Sequence, residues 1–456
     1  MFYLDTPSAA VRELRARVRG PVRDRHDDDY DSARQAWNLM VDQRPEAVVH
    51  AVDAEDVRIT VDIARQAGLR VAPQGTGHNA GPLGDLSGTI LLRTDAMRDV
   101  QLDVEGRTAR VGAGTLWLDV TAPASEHGLA PLAGSSPDVG VTGYTLGGGM
   151  SWLGRQHGFA ANSVLSMDVV TADGVARRIS ADADPDLFWA MRGGGGAFAV
   201  VTAMEFELFD ARELSAGMLA FGIEQAREVL YRWRDWMLTA PDAFTTAARL
   251  MHLPALPDIP EPFRGADLVV VDGAALAAPD VVAHELRGLR ELGPMVDTFE
   301  EVAPVALSRI HMDPEDPVPA EGDHSLVGEV DDSLLDGLLA LAGGGPGSTG
   351  LLFTELRQLG GAFGVAPEGA GARDRFDGDG LAFAVGMTPD EESHAVVKRD
   401  LHTFRAMTYH RRSDHYMNFA EVAEDEPLHR NEVSTRLREI KAAVDPDDVI
   451  RSNHPV

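Results

Sequence analysis

The chain is 456 residues long, too long for one simple core, so two domains are expected. Its formal charge of −31 argues against nucleic acid or an anionic membrane as partner. Cysteine is absent, which excludes disulfides, thiolate nucleophiles, thiolate zinc sites and cysteine-held iron–sulfur clusters.

The start, Met1-Phe2-Tyr3-Leu4-Asp5, runs into a charged stretch through Arg25 and lacks the apolar core of a signal peptide. No run of about 18 apolar residues is present to span a membrane. A cytoplasmic protein is expected. Residues 47–73 read as strand, helix, strand. Asp53 caps a helix with Val57, Val61 and Ala64 on one face, and Gly68 stops it. Leu69 to Pro73 is then a short strand that delivers the turn Gln74-Gly75-Thr76-Gly77-His78-Asn79. Short β patterns follow from Thr89 to Gly112, and a helix from Thr115 to Glu126.

A second glycine-dense stretch runs from Gly134 through Gly140 and Gly143 to Gly147-Gly148-Gly149 and Gly154. Strands are expected over Val164–Thr171 and Val175–Ser180, joined through Asp173-Gly174, a hairpin signal. Asp184-Pro185 starts a short helix. After Gly193 to Gly196 comes an apolar strand, Phe198 to Leu208. From Asp210 to about residue 410, apolar strands alternate with helical stretches, interrupted by the Pro-rich 254–262 and Gly-rich 343–350 linkers. This pattern predicts an α+β second domain whose sheet has one face free.

A glycine turn after a strand lets backbone N–H groups approach phosphate oxygens without a Cβ in the way. The Rossmann pattern is not met: the third glycine, Gly81, comes one residue late, and Pro82, Leu83 and Gly84 do not open a helix. A lone His78 is, by itself, a turn histidine bonding its own loop. His402, His410 and His415 are spaced by eight and five, which is not the i, i+4 pair of a helical metal site, so no metal is expected.

Several motifs in order change the weight of these signals. They are Arg44-Pro45-Glu46, the Gly75–His78 turn, Gly112-Ala113-Gly114, Gly140 through Gly149, and Arg192-Gly193 through Gly196. Tyr416-Met417-Asn418-Phe419 and Asp445-Pro446 to Asn453-His454-Pro455 complete the set. Together they resemble the berberine bridge enzyme-like branch of the vanillyl-alcohol oxidase/p-cresol methylhydroxylase superfamily of flavoproteins, well over residues 30–210 and 395–456 and loosely between.

The resemblance implies an α+β fold: a p-cresol methylhydroxylase-type FAD-binding domain of two α/β subdomains over residues 1–210, with 411–456 returning to it. A substrate domain over 211–410 would carry an antiparallel sheet covered by helices. It implies FAD cradled by Gln74, Gly75, Thr76, Gly77, His78 and Asn79, with His78 the covalent attachment point. Ser136, Val139, Gly140, Gly143, Gly147, Gly148, Val201 and Asn418 would also contact the cofactor. Many relatives carry a second link through a cysteine; here Ser136 takes that position, so His78 would be the only tether.

Relatives have Asn-Phe-Gly where this chain has Ala197-Phe198-Ala199, a change expected to alter local backbone packing. Tyr416 is the implied catalytic residue, a proton acceptor if neighbouring charge lowers its pKa from near 10; Arg411 and Arg412 are close in sequence. The acidic base of plant relatives has no clear counterpart, with Glu355 and Gln358 on a candidate strand. In this branch a β-branched residue at the Val139 position goes with oxygen access. The reading is an FAD-dependent oxidase that takes hydride from a C–H beside O or N of a small molecule and reduces O2 to H2O2. A dehydrogenase with another acceptor, or a metabolite-binding protein on the same scaffold, are the alternatives, and substrate and oligomeric state stay open.

Overall fold

The helix Ala54–Ala67 shows how closely local chemistry fixes the first layer. The Asp53 carboxylate accepts hydrogen bonds from the amides of Glu55 and Asp56, and Gly68 ends the helix in the left-handed region at φ +67°. Val57, Val61 and Ala64 are fully buried on its inner face. The computed structural model describes residues 6–456 except 258, 260 and 424–426. Met1 to Asp5 and two positions of the Pro-rich linker thus lie outside the described residues.

That helix packs beside a four-stranded sheet ordered Val22–Arg23, Ala47–His50, Thr89–Arg93, Arg70–Gln74, parallel except for its first pair. A five-stranded antiparallel sheet follows, ordered Val100–Asp103, Thr108–Gly112, Ala199–Glu207, Val164–Thr171, Ala176–Ser180. The C-terminal segment returns to the first sheet: the Val71 amide donates to Val449 O and the Arg451 amide to Val71 O, both at 2.8 Å. After Gly81 the chain makes only a single 3-10 turn, Gly81–Leu83.

The largest sheet has nine antiparallel strands, with Ser215–Gly222, Asp267–Ala275, Phe244–His252, Phe353–Gln358, Gly380–Met387 and Ala320–Val327 as its long members. Arg412–Asp414 adds a short strand at one edge. The helices Ala226–Met237, Asp332–Ala342 and Glu391–Thr408 cover one face, burying Leu219, Leu250, Val271, Leu356 and Ala384 against Trp233, Leu335 and Phe404. The opposite face carries Met218, Val270, Met251, Phe353 and Phe383 and turns toward the two smaller sheets. The strand Ala320–Val327 was not expected from sequence. Among the described residues no helix is long and apolar enough to cross a membrane.

Candidate functional site

A cavity of about 540 Å³ opens where the three sheets meet. The strand Arg70–Gln74 delivers the glycine turn into its wall, as the sequence predicts. Gly77 sits at φ +87°, and a Cβ there would stand 2.8 Å from the Gln74 amide nitrogen and 3.0 Å from Ala36, so the turn requires glycine. The short helix Val141–Leu146 begins just after Gly140. Where side chains would project from Gly140 and Gly143, almost nothing stands: Thr76 at 3.9 Å for the first and no atom within 4 Å for the second.

Of the predicted site residues, Gln74, Gly75, Thr76, Gly77, His78 and Asn79 line this cavity, with Ser136, Val139, Gly140, Gly143, Gly147, Val201, Tyr416 and Asn418. Gly148 does not. Its backbone turns left-handed at φ +114° and faces Arg373, away from the opening. The distant motifs are also tied together. The Asn79 amide donates to Met417 O at 2.9 Å, and Asn453 Nδ2 donates to Asn79 O at 3.1 Å.

The polar atoms around the opening fit FAD. Both amide atoms of Gln74, Asn79 Oδ1, Thr142 Oγ1 and the Tyr144 hydroxyl are buried without a hydrogen-bond partner. Buried polar groups left in this state cost stability unless a ligand satisfies them, and the side-chain-free floor at Gly140 and Gly143 leaves room for one. His78 stacks on Trp37 with ring centroids 4.1 Å apart. Ser136 reaches across the cavity instead: its hydroxyl and that of Ser135 donate to Asp313 at 2.9 and 2.8 Å. Ala197 and Ala199 are both buried, and Ala197 O accepts from Lys441 Nζ at 2.8 Å.

Tyr416 is 1% exposed. Its oxygen accepts hydrogen bonds from the Met150 amide and from Asn418 Nδ2, both at 2.9 Å. With its acceptor sites occupied, its own proton is free to donate. Burial pushes its pKa up to about 12, although Asn418, the Met150 amide, Arg357 and Arg373 pull the other way. The cations acting on it are therefore not Arg411 and Arg412, which bond Asp331 and His324 O. Asn418 also donates to Tyr144 O, and it lies so close over Gly147 that a Cβ there would fall 1.7 Å from Asn418 Oδ1.

The cavity's other wall holds a charged row of which the sequence reading pointed only to Glu355. Pleating puts Phe353, Glu355 and Arg357 on the cavity face of their strand and turns Gln358 into the helix layer, where it donates to Met237 O at 2.7 Å. Glu355 pairs with Arg357, and Arg249 on the neighbouring strand pairs with Asp272. His311 closes the row, with Nδ1 3.0 Å from Asp272 and Nε2 3.3 Å from Glu355. Burial and Arg249 lower the pKa of His311, but Asp272, Glu355 and Asp313 outweigh them and raise it to about 9. Burial opposes ionisation of Glu355, yet Arg357 and His311 hold it below the usual carboxylate range. A signal for this row existed, since Arg249 and Asp272 are charges inside otherwise apolar strand sequences.

Glu421 also lines the cavity, accepting from the Gly322 amide at 2.8 Å. Burial raises its pKa to about 7, with Glu321 and Asp323 adding to the effect against the pull of the Gly322 bond. Among the described residues no group of three His, Asp or Glu side chains is arranged to hold a metal ion.

Residues 45–180 match the family model described as FAD binding domain. The chain is 28% identical over 461 residues to (R)-6-hydroxynicotine oxidase of Paenarthrobacter nicotinovorans, covering 96% of this chain and 97% of that protein. Glucooligosaccharide oxidase of Sarocladium strictum is 33% identical over 194 residues, 41% of this chain and 39% of that one. The fold superposes on the wild-type berberine bridge enzyme-like protein 1 of Physcomitrella patens with a TM-score of 0.83 at 18% identity, covering 98% of each chain.

Proposed function

We propose that the chain, an FAD-linked oxidoreductase, is a berberine bridge enzyme-like oxidase acting on a small molecule. The bond oxidised is a C–H beside oxygen or nitrogen, and O2 is the final acceptor, giving H2O2. The observation that carries this reading is the convergence of His78, Val139, Tyr416 and Asn418 on one cavity. Two of the relatives are named as oxidases. Val139, at the position tied to oxygen access by resemblance, borders that cavity.

When bound, FAD supplies hydride acceptance and electron delivery. Gln74 to Asn79 would hold its phosphates and His78 would tether it covalently. Tyr416, kept protonated by burial, donates a hydrogen bond into the cavity and orients the reacting partner; it is poorly matched to the proton-accepting role inferred from sequence. Glu421, with a pKa near neutrality, is the better-matched acceptor. Phe353, Phe383 and Phe419 offer an apolar surface to the substrate, and Arg357 and Asp313 offer polar contacts. The protein is placed in the cytoplasm in this proposal, a placement that cell fractionation would check.

A substrate screen reading peroxide tests the assignment. Substrate that bleaches the flavin anaerobically, followed by rapid reoxidation in air with one H2O2 per turnover, supports it. Bleaching without fast reoxidation makes the protein a dehydrogenase.

A further inference from the structure

We propose that Asp138 is a positioning residue that prepares His78 for covalent attachment to FAD, an inference that rests on the tether proposed above. His78 Nε2 lies 3.3 Å from Asp138 Oδ2, and the same oxygen accepts the Trp37 indole N–H at 2.7 Å. Trp37 stacks on the imidazole at 26° between planes. His78 Nε2 and Asp138 Oδ1 are both buried without an aligned hydrogen bond, so Nε2 meets the carboxylate at ion-pair distance. The histidine is therefore clamped on one face by an indole and faced at one nitrogen by a carboxylate.

This arrangement is rigidly framed. The residues flanking Asp138 give their carbonyls to the start of the helix Trp117–Ser125: Leu118 N donates to Pro137 O and Trp117 N to Val139 O, both at 3.0 Å. Trp37 is tied to the glycine turn through its amide, which donates to Thr76 O at 3.1 Å. Asp138 has little freedom to swing toward solvent, and a purely solubilising acid would not be built this way.

A carboxylate facing Nε2 favours the tautomer with its proton there, which leaves the lone pair on Nδ1. Attachment forms the bond from Nδ1 to the 8α carbon and breaks one C–H of that methyl group, whose electron pair enters the ring system. Asp138 takes the Nε2 proton as the imidazole becomes positively charged. The two protons released, from methyl and imidazole, accompany the two electrons in the reduced ring. Dioxygen then removes both electrons and both protons as H2O2.

The test follows covalent flavin over time in purified protein incubated with FAD in air, sampled into acid and read by flavin fluorescence of the denatured band. Absorbance of the native protein reports non-covalent FAD in parallel. Asp138→Asn, close to isosteric, is expected to bind FAD with a native-like spectrum yet link it at least tenfold more slowly, and Asp138→Glu to recover part of the rate. Linkage at the wild-type rate in Asp138→Asn, with His78→Ala unlinked, overturns the role of Asp138 and leaves the tether standing. Wild-type flavin released fully by acid overturns the tether, and the role of Asp138 with it. Equal loss in Asp138→Asn and Asp138→Glu accompanied by loss of non-covalent FAD assigns Asp138 to the cradle and also overturns the proposal.

Discussion

Asn418 shows how much one side chain depends on a missing one. It occupies the space over Gly147 and bridges Tyr144 O to the Tyr416 hydroxyl. Gly147→Ala would put a methyl group 1.7 Å from its carboxamide oxygen, so Asn418 must leave and both of its bonds break. The expected result is a loss of about 2–4 kcal/mol in stability and a shifted flavin spectrum, read by thermal denaturation and absorbance. Tyr416→Phe keeps the packing but removes the donor. It should retain flavin and lower kcat/KM by about tenfold to a hundredfold, measured under steady-state conditions with any accepted substrate. Glu421→Gln tests the proton acceptor. If Glu421 accepts the proton, wild-type kcat/KM should rise as pH increases through about 7, and the variant should lose that limb together with most of its activity.

At the scale of strands and helices, the charged row across the nine-stranded sheet makes its own prediction. His311 has a folded pKa of about 9 against an ordinary 6.5. Its protonation therefore stabilises the fold fully below about pH 6.5, and that contribution disappears as pH rises through 9. The loss is about 3 kcal/mol at most. His311→Gln should flatten the stability profile in this window, as measured by chemical denaturation between pH 6 and 9.5. This row was hidden because it is a product of register: Arg249 stands opposite Glu355 only after the strands pair. Sequence alternation could not decide between Glu355 and Gln358, whereas pleating separates them onto opposite faces. The hairpin at Asp173-Gly174 and the capped helix Ala54–Ala67 were legible because their signals are local. The strand Ala320–Val327 was not, since Glu321, Asp323 and His324 break its apolar pattern. Asp323 accepts from the His324 amide and pairs with Arg405 from a helix 82 residues later.

Across the whole molecule, the cofactor site is a joint between parts distant in sequence. Its walls come from the glycine turn, the stretch around Gly140, the nine-stranded sheet and the C-terminal segment Arg451 to Asn453. The ordered motifs made this convergence legible as a set, although no spacing in the sequence could place Asp313 or Glu421 beside them. A group bound at such a joint stabilises every element it touches, because only the folded chain assembles the site. If His78 tethers the flavin as proposed, that stabilisation in the wild type is independent of free FAD. His78→Ala converts it into an ordinary binding equilibrium. Its melting temperature should climb with added FAD, the stabilisation reaching about 2.7 kcal/mol at a hundredfold excess over Kd, whereas the wild type should not respond. A wild-type melting temperature that climbs equally would mean the flavin exchanges freely, and the tether at His78 would have to be abandoned.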